Sequence, residues 1–263
     1  SVSSAASDVY KRQMYNQFVS NYDQYLESIF SEYKSNSVNE LILDLRYNPG
    51  GSINSALILA SLITGQFEND IFNTEEWNTE IQNYWINNNP EYLVNRFLSL
   101  ESSLNLNRVF ILTTRSSASA SELIINCLDP YIDVIQIGTT TYGKYQASVT
   151  LYDSENFSNQ NINPSHNYAI QPLVLKTLNV LGITDYFNGI NPEYDFEEKV
   201  YNMGIIGDLN EPMLNFAMGL INSRAEINIQ PETLEFVDDN FKFDFLKREM
   251  YIDNKEIKIN DGN

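Results

Sequence analysis

The chain has 263 residues, of which 43% are hydrophobic and 13% aromatic, and its formal net charge at pH 7 is −19. This composition excludes a wholly disordered protein, because the apolar residues suffice for a substantial core. The acidic charge disfavours binding to nucleic-acid phosphates or to anionic lipid, and no apolar run approaches the roughly 20 residues of a membrane span.

Cysteine and histidine are each represented once, by Cys127 and His166. An internal disulfide is therefore excluded, and we predict no metal site and no cofactor. Cys127 lies on the apolar side of a predicted helix, which favours a buried structural thiol. A Ser-His-Asp triad would have to use His166, which lies in a loop-like stretch at residues 163–167, and this triad stays open as an alternative.

The first thirteen residues differ from the rest of the chain. Residues 3–13 lack hydrophobic periodicity and resemble the translation of a transposase adapter used in sequencing libraries. We interpret residues 1–13 as a non-native tail that packs on nothing specific, with the core beginning at Tyr15 and Phe18. The alternative is a natural polar tail.

A helix, a strand and a glycine turn follow. Apolar residues at positions 22, 25, 26, 29, 30 and 33 have helical spacing, and residues 41–45 predict a buried strand. Asn48-Pro49-Gly50-Gly51 predicts a tight turn, after which Ser52 caps a second helix. Two glycines before a helix bring backbone N–H groups close to a ligand, although turn formation alone would also explain them.

Residues 66–107 are rich in polar and aromatic residues, and they predict short helices inserted between two strand–helix units. Two interpretations stay open for this insertion. It forms either a peripheral packing layer or a cap over the active site that contacts apolar substrate side chains.

The stretch 116–122 lies between an apolar strand at residues 109–112 and a helix at residues 122–128. This junction places the Ser119 hydroxyl at a helix start, where free N–H groups and the positive end of the helix dipole meet a ligand. An ordinary N-cap serine is the alternative interpretation.

The later part of the chain returns to alternation. Lys144 follows a turn at residues 138–143 and begins a polar face shared with Gln146 and Ser148. Asp208 and Glu211 have capping-box spacing before a helix that we expect to reach residue 224. Residues 226–263 predict a β-hairpin extension.

Three motifs in order resemble those of the tail-specific, or C-terminal processing, serine peptidases: LDLR with its following glycine turn at 43–51, SASASE at 117–122, and YGK at 142–144. The resemblance spans roughly residues 14–223. It implies an α/β, Clp-protease/crotonase-like core of repeated strand-strand-helix units over residues 14–225, with residues 66–107 as a helical cap insertion. The family's usual PDZ domain is not visible and would lie upstream.

The same resemblance implies a Ser–Lys dyad in which Ser119 is the nucleophile and Lys144 the general base. Gly50 or Gly51, paired with the Ala120 amide, would form the oxyanion hole. Many family members carry a glutamine four residues after the lysine. This chain has Ser148 at that position, with Gln146 two residues after the lysine, so we expect Gln146 or Ser148 to orient Lys144.

The implied function is that of a serine endopeptidase that cleaves protein substrates near their C-terminal tails, in the periplasm or outside a bacterial cell. Free lysine has a pKa of about 10.4, and burial can lower it by the 3–4 units that a neutral base needs. One rival is a family member that binds peptide tails without cutting them. Another is a crotonase-like acyl-thioester enzyme, which would leave Ser119 and Lys144 without roles. The sequence does not give the oligomeric state.

Overall fold

The computed structural model describes residues 10–222 and 249–252, which form a mixed α/β fold. The predicted hairpins at residues 226–263 lie outside the described residues except for 249–252. The described strands are β1 (Tyr10–Met14), β2 (Glu40–Asp44), β3 (Gly51–Ser52), β4 (Ile71–Trp77), β5 (Val94–Arg96), β6 (Arg108–Thr113), β7 (Asp133–Gly138), β8 (Gln146–Ser148), β9 (Leu151–Tyr152), β10 (Ala169–Ile170), β11 (Leu173–Leu178), β12 (Tyr194–Asp195) and β13 (Met250–Tyr251). The described α-helices are α1 (Asp23–Ser35), α2 (Ile53–Ile63), α3 (Thr79–Asn88), α4 (Ala120–Leu128) and α5 (Pro212–Ile221).

A five-stranded parallel sheet, in the order β1-β2-β6-β7-β12, carries the predicted central strands. Both faces of β2 are covered. Leu41 and Leu43 pack with α1, α2 and α4, whereas Ile42 packs with residues of α5 on the other face. A strand buried on both faces needs a continuous apolar run rather than alternation, which explains why the sequence predicted it well.

A six-stranded mixed sheet, in the order β3-β13-β8-β11-β4-β5, lies beside the first sheet, and β9 pairs with β10 in a separate hairpin. Two of the six strands, β4 and β5, come from residues 66–107, where only short helices were predicted. Helix α3 of the same region is a short helix, as predicted, whereas the prediction is wrong for these two segments. The reason is a long-range pairing, because β4 pairs with β11 about a hundred residues later.

The aromatic residues of the 66–107 insertion belong mainly to the core. Phe72, Trp77, Trp85 and Phe97 are buried, and Phe72 packs edge-to-face on Phe97. This burial favours the packing interpretation for these four residues. A role of the insertion as a cap over the site stays a prediction.

The N-terminal stretch also requires a correction. Residues 10–13 were expected to pack on nothing, yet β1 pairs in parallel with β2, and Arg12 is buried with its guanidinium paired to Asp44. Backbone pairing and a buried ion pair order this strand without hydrophobic periodicity. The core does include Phe18, as predicted, and Tyr15 packs against it. The origin of residues 1–13 stays untested.

Helices α1 and α2 form where the sequence predicted them, although Tyr22 and Tyr25 of the predicted apolar face are exposed. In α1, Leu26, Phe30 and Tyr33 are buried, and the helix ends at Ser35, with Asn36 as its C-cap. Helix α2 is almost wholly buried, and its first turn is capped by Ser52, whose hydroxyl oxygen accepts from the Ser55 N–H group at 3.2 Å. None of the described helices is long and apolar enough to cross a membrane.

Candidate active site

Ser119 lies in the turn between β6 and α4, and its backbone has a positive φ of 62° with ψ of −113°. Positive φ is uncommon outside glycine and costs on the order of 1–3 kcal/mol, so surrounding contacts must hold it. Two neighbouring serines supply such contacts. The Ser117 hydroxyl donates to the Leu45 carbonyl at 2.8 Å, and the Ser121 hydroxyl donates to the Asn48 carbonyl at 2.9 Å. The serine-rich motif therefore joins this turn to the glycine turn after β2.

The Ser119 side chain is fully buried, and among the described residues its hydroxyl oxygen has no hydrogen-bond partner. Buried hydroxyls are normally satisfied, so an unpartnered one points to a chemical role. Ser119 is nevertheless the N-cap residue of α4, and the Glu122 carboxylate accepts its N–H group as in a capping box, so the N-cap alternative stays open.

Glu122 is the centre of the site, and sequence reasoning gave it no role. Its buried carboxylate accepts four hydrogen bonds. Oε2 accepts from the N–H groups of Ser119 and Lys144, both at 2.8 Å. Oε1 accepts from the Thr141 hydroxyl and the Gly143 N–H group, both at 2.6 Å. Burial raises the pKa of Glu122, while the bonds to Thr141, Lys144, Ser119 and Gly143 act in the opposite direction.

Lys144 lies two residues before β8 and is partly buried. Burial lowers its pKa, whereas the nearby carboxylates of Glu249 and Glu122 raise it. The direction is the one that a neutral lysine base requires. Glu249 belongs to residues 226–263, for which the sequence predicted a β-hairpin extension and suggested no role in the site.

The residues predicted to orient Lys144 do not share one polar face. Gln146 is exposed, whereas Ser148 is buried together with Ala147, and the Ser148 hydroxyl donates to the Met250 carbonyl at 3.2 Å. The predicted polar face is thus interrupted at Ser148, the residue at which β13 pairs with β8. Which residue orients the amine stays a prediction.

The glycine turn lies directly against Ser119. A Cβ atom at Gly50, whose φ is +111°, would lie 2.6 Å from the Ser119 Cβ and 2.9 Å from the Glu249 carbonyl oxygen. The Gly50 N–H group donates to Asn48 Oδ1 at 2.9 Å. Gly51 follows in β3, and Ala120 begins α4, where amides lack intrahelical acceptors. Of the three predicted oxyanion donors, Gly50 is thus engaged with a side chain in this structure.

His166 and Cys127 take no part in this arrangement. The His166 ring lies in the loop between β9 and β10, where Nε2 is 3.1 Å from Asp153 Oδ2 and Nδ1 accepts from the Tyr168 N–H group. Cys127 is fully buried in α4, and burial raises the pKa of its thiol, as expected for a structural residue. Within residues 10–222 and 249–252, no group of three His, Cys, Asp or Glu side chains is placed to hold a metal ion.

The LDLR motif supplies a buried ion network behind the site. The Arg46 guanidinium donates to both oxygens of Asp44, at 2.9 and 2.6 Å, and to Glu198 at 2.6 Å. It also pairs with Glu211. The predicted capping box at 208–211 is therefore wrong, because the Glu211 carboxylate pairs with Arg46 and makes no cap bond to α5. Arg46 thus connects the end of β2 with Glu198 and with Glu211, the residue before α5.

The chain is similar to known proteases in sequence and in fold. Residues 14–163 match the model of peptidase family S41. A Bacteroides fragilis NCTC 9343 protein described as an S41 protease is 26% identical, with a TM-score of 0.70, and the match covers 86% of this chain and 57% of that one. The photosystem II D1 C-terminal processing protease is 15% identical, with a TM-score of 0.56 and coverage of 78% and 46%. A Streptococcus agalactiae lipoprotein is 12% identical, with a TM-score of 0.55 and coverage of 84% and 69%.

The last two likenesses concern the fold alone, and no curated protein matched the chain. Since the family match covers more than half of the chain, the chain belongs to peptidase family S41. The chain spans little more than half the length of the Bacteroides fragilis protein.

Proposed function

We propose that this chain is the catalytic part of a serine endopeptidase that uses Ser119 as nucleophile and Lys144 as general base. The observation that carries the proposal is the shared oxygen of Glu122, which accepts from the backbone of both residues. A nucleophile and a base must lie close together, and one buried acceptor fixes both chain segments relative to each other. The acyl-thioester alternative leaves Ser119 and Lys144 without roles, so it gives no reason for this link.

The proposed reaction is acyl transfer to serine. The Ser119 Oγ attacks the carbonyl carbon of a peptide bond, and the neutral Lys144 amine takes the hydroxyl proton. The lysine then returns this proton to the leaving amine, and an ester to Ser119 remains. Water hydrolyses that ester with the lysine again acting as base. The burial that lowers the Lys144 pKa supports its role in both steps.

Backbone donors near Ser119 are the proposed oxyanion hole. The Ala120 amide at the start of α4 and the N–H group of Gly51 are the first candidates. The Gly50 N–H group would join them only by leaving Asn48 Oδ1. The closeness of the glycine turn to the Ser119 Cβ supports this assignment.

We further propose a protein substrate, cleavage near its C-terminal tail, and a location in a bacterial cell envelope. The tail preference draws support from the fold shared with a C-terminal processing protease. The location draws support from the Bacteroides fragilis relative and from the Streptococcus agalactiae structure described as a lipoprotein.

Covalent labelling tests the proposal. The full chain is incubated with a small fluorophosphonate, and the labelled residue is identified by mass spectrometry of its peptides. We expect one adduct, on Ser119, and loss of labelling in Lys144→Ala with the fold retained. Equal labelling of Lys144→Ala and the unaltered chain would contradict the dyad.

A second candidate function is a peptide-binding module that does not cut. One observation favours it: the Ser119 hydroxyl is fully buried and makes no hydrogen bond to Lys144 among the described contacts. That candidate predicts saturable binding of peptides by the full chain without any Ser119 adduct. Isothermal titration combined with the labelling assay separates the two functions.

A further inference from the structure

The segment Glu249–Ile252 lies across the proposed active site, although it follows Ser119 by more than a hundred residues. Its strand β13 pairs in parallel with β3 on one side and with β8 on the other. Thus it lies between the glycine turn and the strand that follows Lys144. Met250 is fully buried in the core cluster, and its carbonyl accepts the Ser148 hydroxyl.

Glu249 contacts the site through both its backbone and its side chain. Its carbonyl oxygen lies close to Gly50, on the side where Gly50 faces the Ser119 Cβ. Its carboxylate interacts electrostatically with Lys144, and each group shifts the pKa of the other toward the charged form. A bound peptide substrate would present the same two features. It would place a carbonyl near the serine, as Glu249 does, and an apolar side chain in the neighbouring core site, as Met250 does.

We propose that Glu249–Ile252 is a resident occupant of the strand position at which a peptide substrate adds to the sheet, and that substrate must displace it. The inference rests on the proposed function and deepens it. Peptides bind sheet edges by adding a strand, with main-chain hydrogen bonds for affinity and side-chain pockets for specificity. The occupant approaches Gly50 on the side that faces the fully buried Ser119.

The occupant also defines the substrate class. The side chain at the Met250 position enters an apolar site, so a substrate needs a large apolar residue there. The residue before it supplies the carbonyl near Ser119. Because the segment is covalently attached, it competes at every substrate concentration, and it raises the apparent dissociation constant by the reciprocal of the open fraction.

Hydrogen exchange on the full-length Ser119→Ala chain tests displacement without cleavage. The probe is a blocked peptide with the sequence of residues 247–254, and the control peptide carries aspartate in place of the methionine. We expect the first peptide to raise deuterium uptake at the amides of residues 250–252 about fivefold or more, as for a shifted opening equilibrium, with α2 unchanged. Unchanged or reduced uptake would overturn the proposal.

A substitution gives an independent measurement in the full chain. Met250→Asp should expel the segment and raise the rate of Ser119 labelling by a fluorophosphonate about tenfold, as expected for an occupant that leaves the site open a tenth of the time. The matched control is Met213→Asp, which buries the same charge in α5 against the other core cluster. Labelling of Met250→Asp at or below the original rate, or equal acceleration by Met213→Asp, would contradict the inference.

The two experiments also separate this inference from the proposed function. If Ser119 is never labelled in any variant, the peptidase proposal fails, while peptide-induced exchange at 250–252 still establishes displacement. If labelling occurs but the peptide leaves the exchange unchanged, the peptidase proposal stands and β13 is a fixed structural strand. Should both aspartate variants unfold, the exchange measurement alone decides.

Discussion

Ser119 and Lys144 donate their backbone N–H groups to the same atom, Glu122 Oε2, at 2.8 Å each. The two residues are 25 positions apart in the chain, on opposite sides of β7. Neither the helix start nor the loop before β8 can therefore shift without disturbing the other. This shared acceptor makes Glu122 a positioning residue for the proposed dyad.

Glu122→Gln should reduce both turnover and stability. The amide keeps one acceptor oxygen but directs an NH₂ group toward backbone donors, and each buried donor left unsatisfied costs about 1–3 kcal/mol. Denaturant unfolding and the labelling rate of Ser119 measure the two effects. Glu91→Gln, at an exposed carboxylate paired with Arg96, is the control and should leave both quantities unchanged. A Glu122→Gln chain with unaltered labelling would remove the positioning role.

Ser119→Ala and Lys144→Ala should each lower peptide cleavage by about a thousandfold or more, as loss of a nucleophile or base does. His166→Ala should retain most activity, because its ring contacts Asp153 and Tyr168 in the β9–β10 loop. The measurement is kcat/KM on a peptide library, with circular dichroism to verify the fold. A loss in His166→Ala equal to that in Lys144→Ala would restore the triad alternative.

Gly50→Ala should abolish labelling of Ser119 and destabilise the chain, because the added Cβ would meet the Ser119 Cβ at 2.6 Å on a backbone with φ of +111°. Gly182→Ala is a matched control. Gly182 also has a positive φ, +77°, but a Cβ there meets nothing within 4 Å. Both variants carry backbone strain, so the difference between them in labelling rate isolates the steric contact. Equal effects would show that strain alone is responsible.

Stability should rise with pH where Lys144 titrates. Burial lowers its pKa, so between that lowered value and the ordinary value of about 10.4 the unfolded state binds more protons than the folded state. The cost of burying the charge is thus present at low pH and disappears as pH rises through this window. Lys144→Met should flatten the slope and raise stability at neutral pH.

Urea unfolding at a series of pH values measures this slope. Lys176→Met is the control, since Lys176 is about one-third exposed and pairs with Glu76 on the neighbouring strand. A slope unchanged by Lys144→Met would mean that the lysine is charged at no cost in the folded protein.

Arg46→Met should destabilise the chain by about 3–5 kcal/mol, because it removes from a largely buried carboxylate cluster the cation that pairs with all three members, and Arg12 remains beside Asp44 and Glu211. Those carboxylates are Asp44, Glu198 and Glu211. Arg96→Met removes an exposed pair with Glu91 and should cost at most about 1 kcal/mol. The free energies of unfolding in urea give the comparison. Similar losses in the two variants would show that the buried network contributes little.

The sequence predicted those parts of the fold whose signal is local. The spacing in α1, the apolar run of β2 and the Ser52 cap each depend on residues within one turn or strand. The motif order also identified Ser119 and Lys144 as the candidate dyad, a role that stays a prediction. The hydrophobic pattern was sufficient to predict an element wherever that element buries one face along its whole length, or both faces along its whole length.

The features that sequence reasoning missed depend on distant partners. The buried Arg12 pairs with Asp44, 32 residues later, and β4 is a strand that pairs with the distant β11. The spacing of Ser119 and Glu122 fits a capping box, and this unused signal could have shown that the carboxylate faces the serine N–H group. No pattern in the sequence could show that the same carboxylate also accepts from Gly143 and Lys144.

The order of synthesis gives β13 a further significance. The hydrogen bond from Ser148 to the Met250 carbonyl spans 102 residues, so Ser119 and Lys144 leave the ribosome long before this strand is made. Until then a nascent chain exposes the unpaired backbone of β3 and β8, and long-range strand pairing is slow. Such open edges promote aggregation at physiological concentrations. Overproduction should therefore benefit from slower translation or from chaperones that shield strand edges.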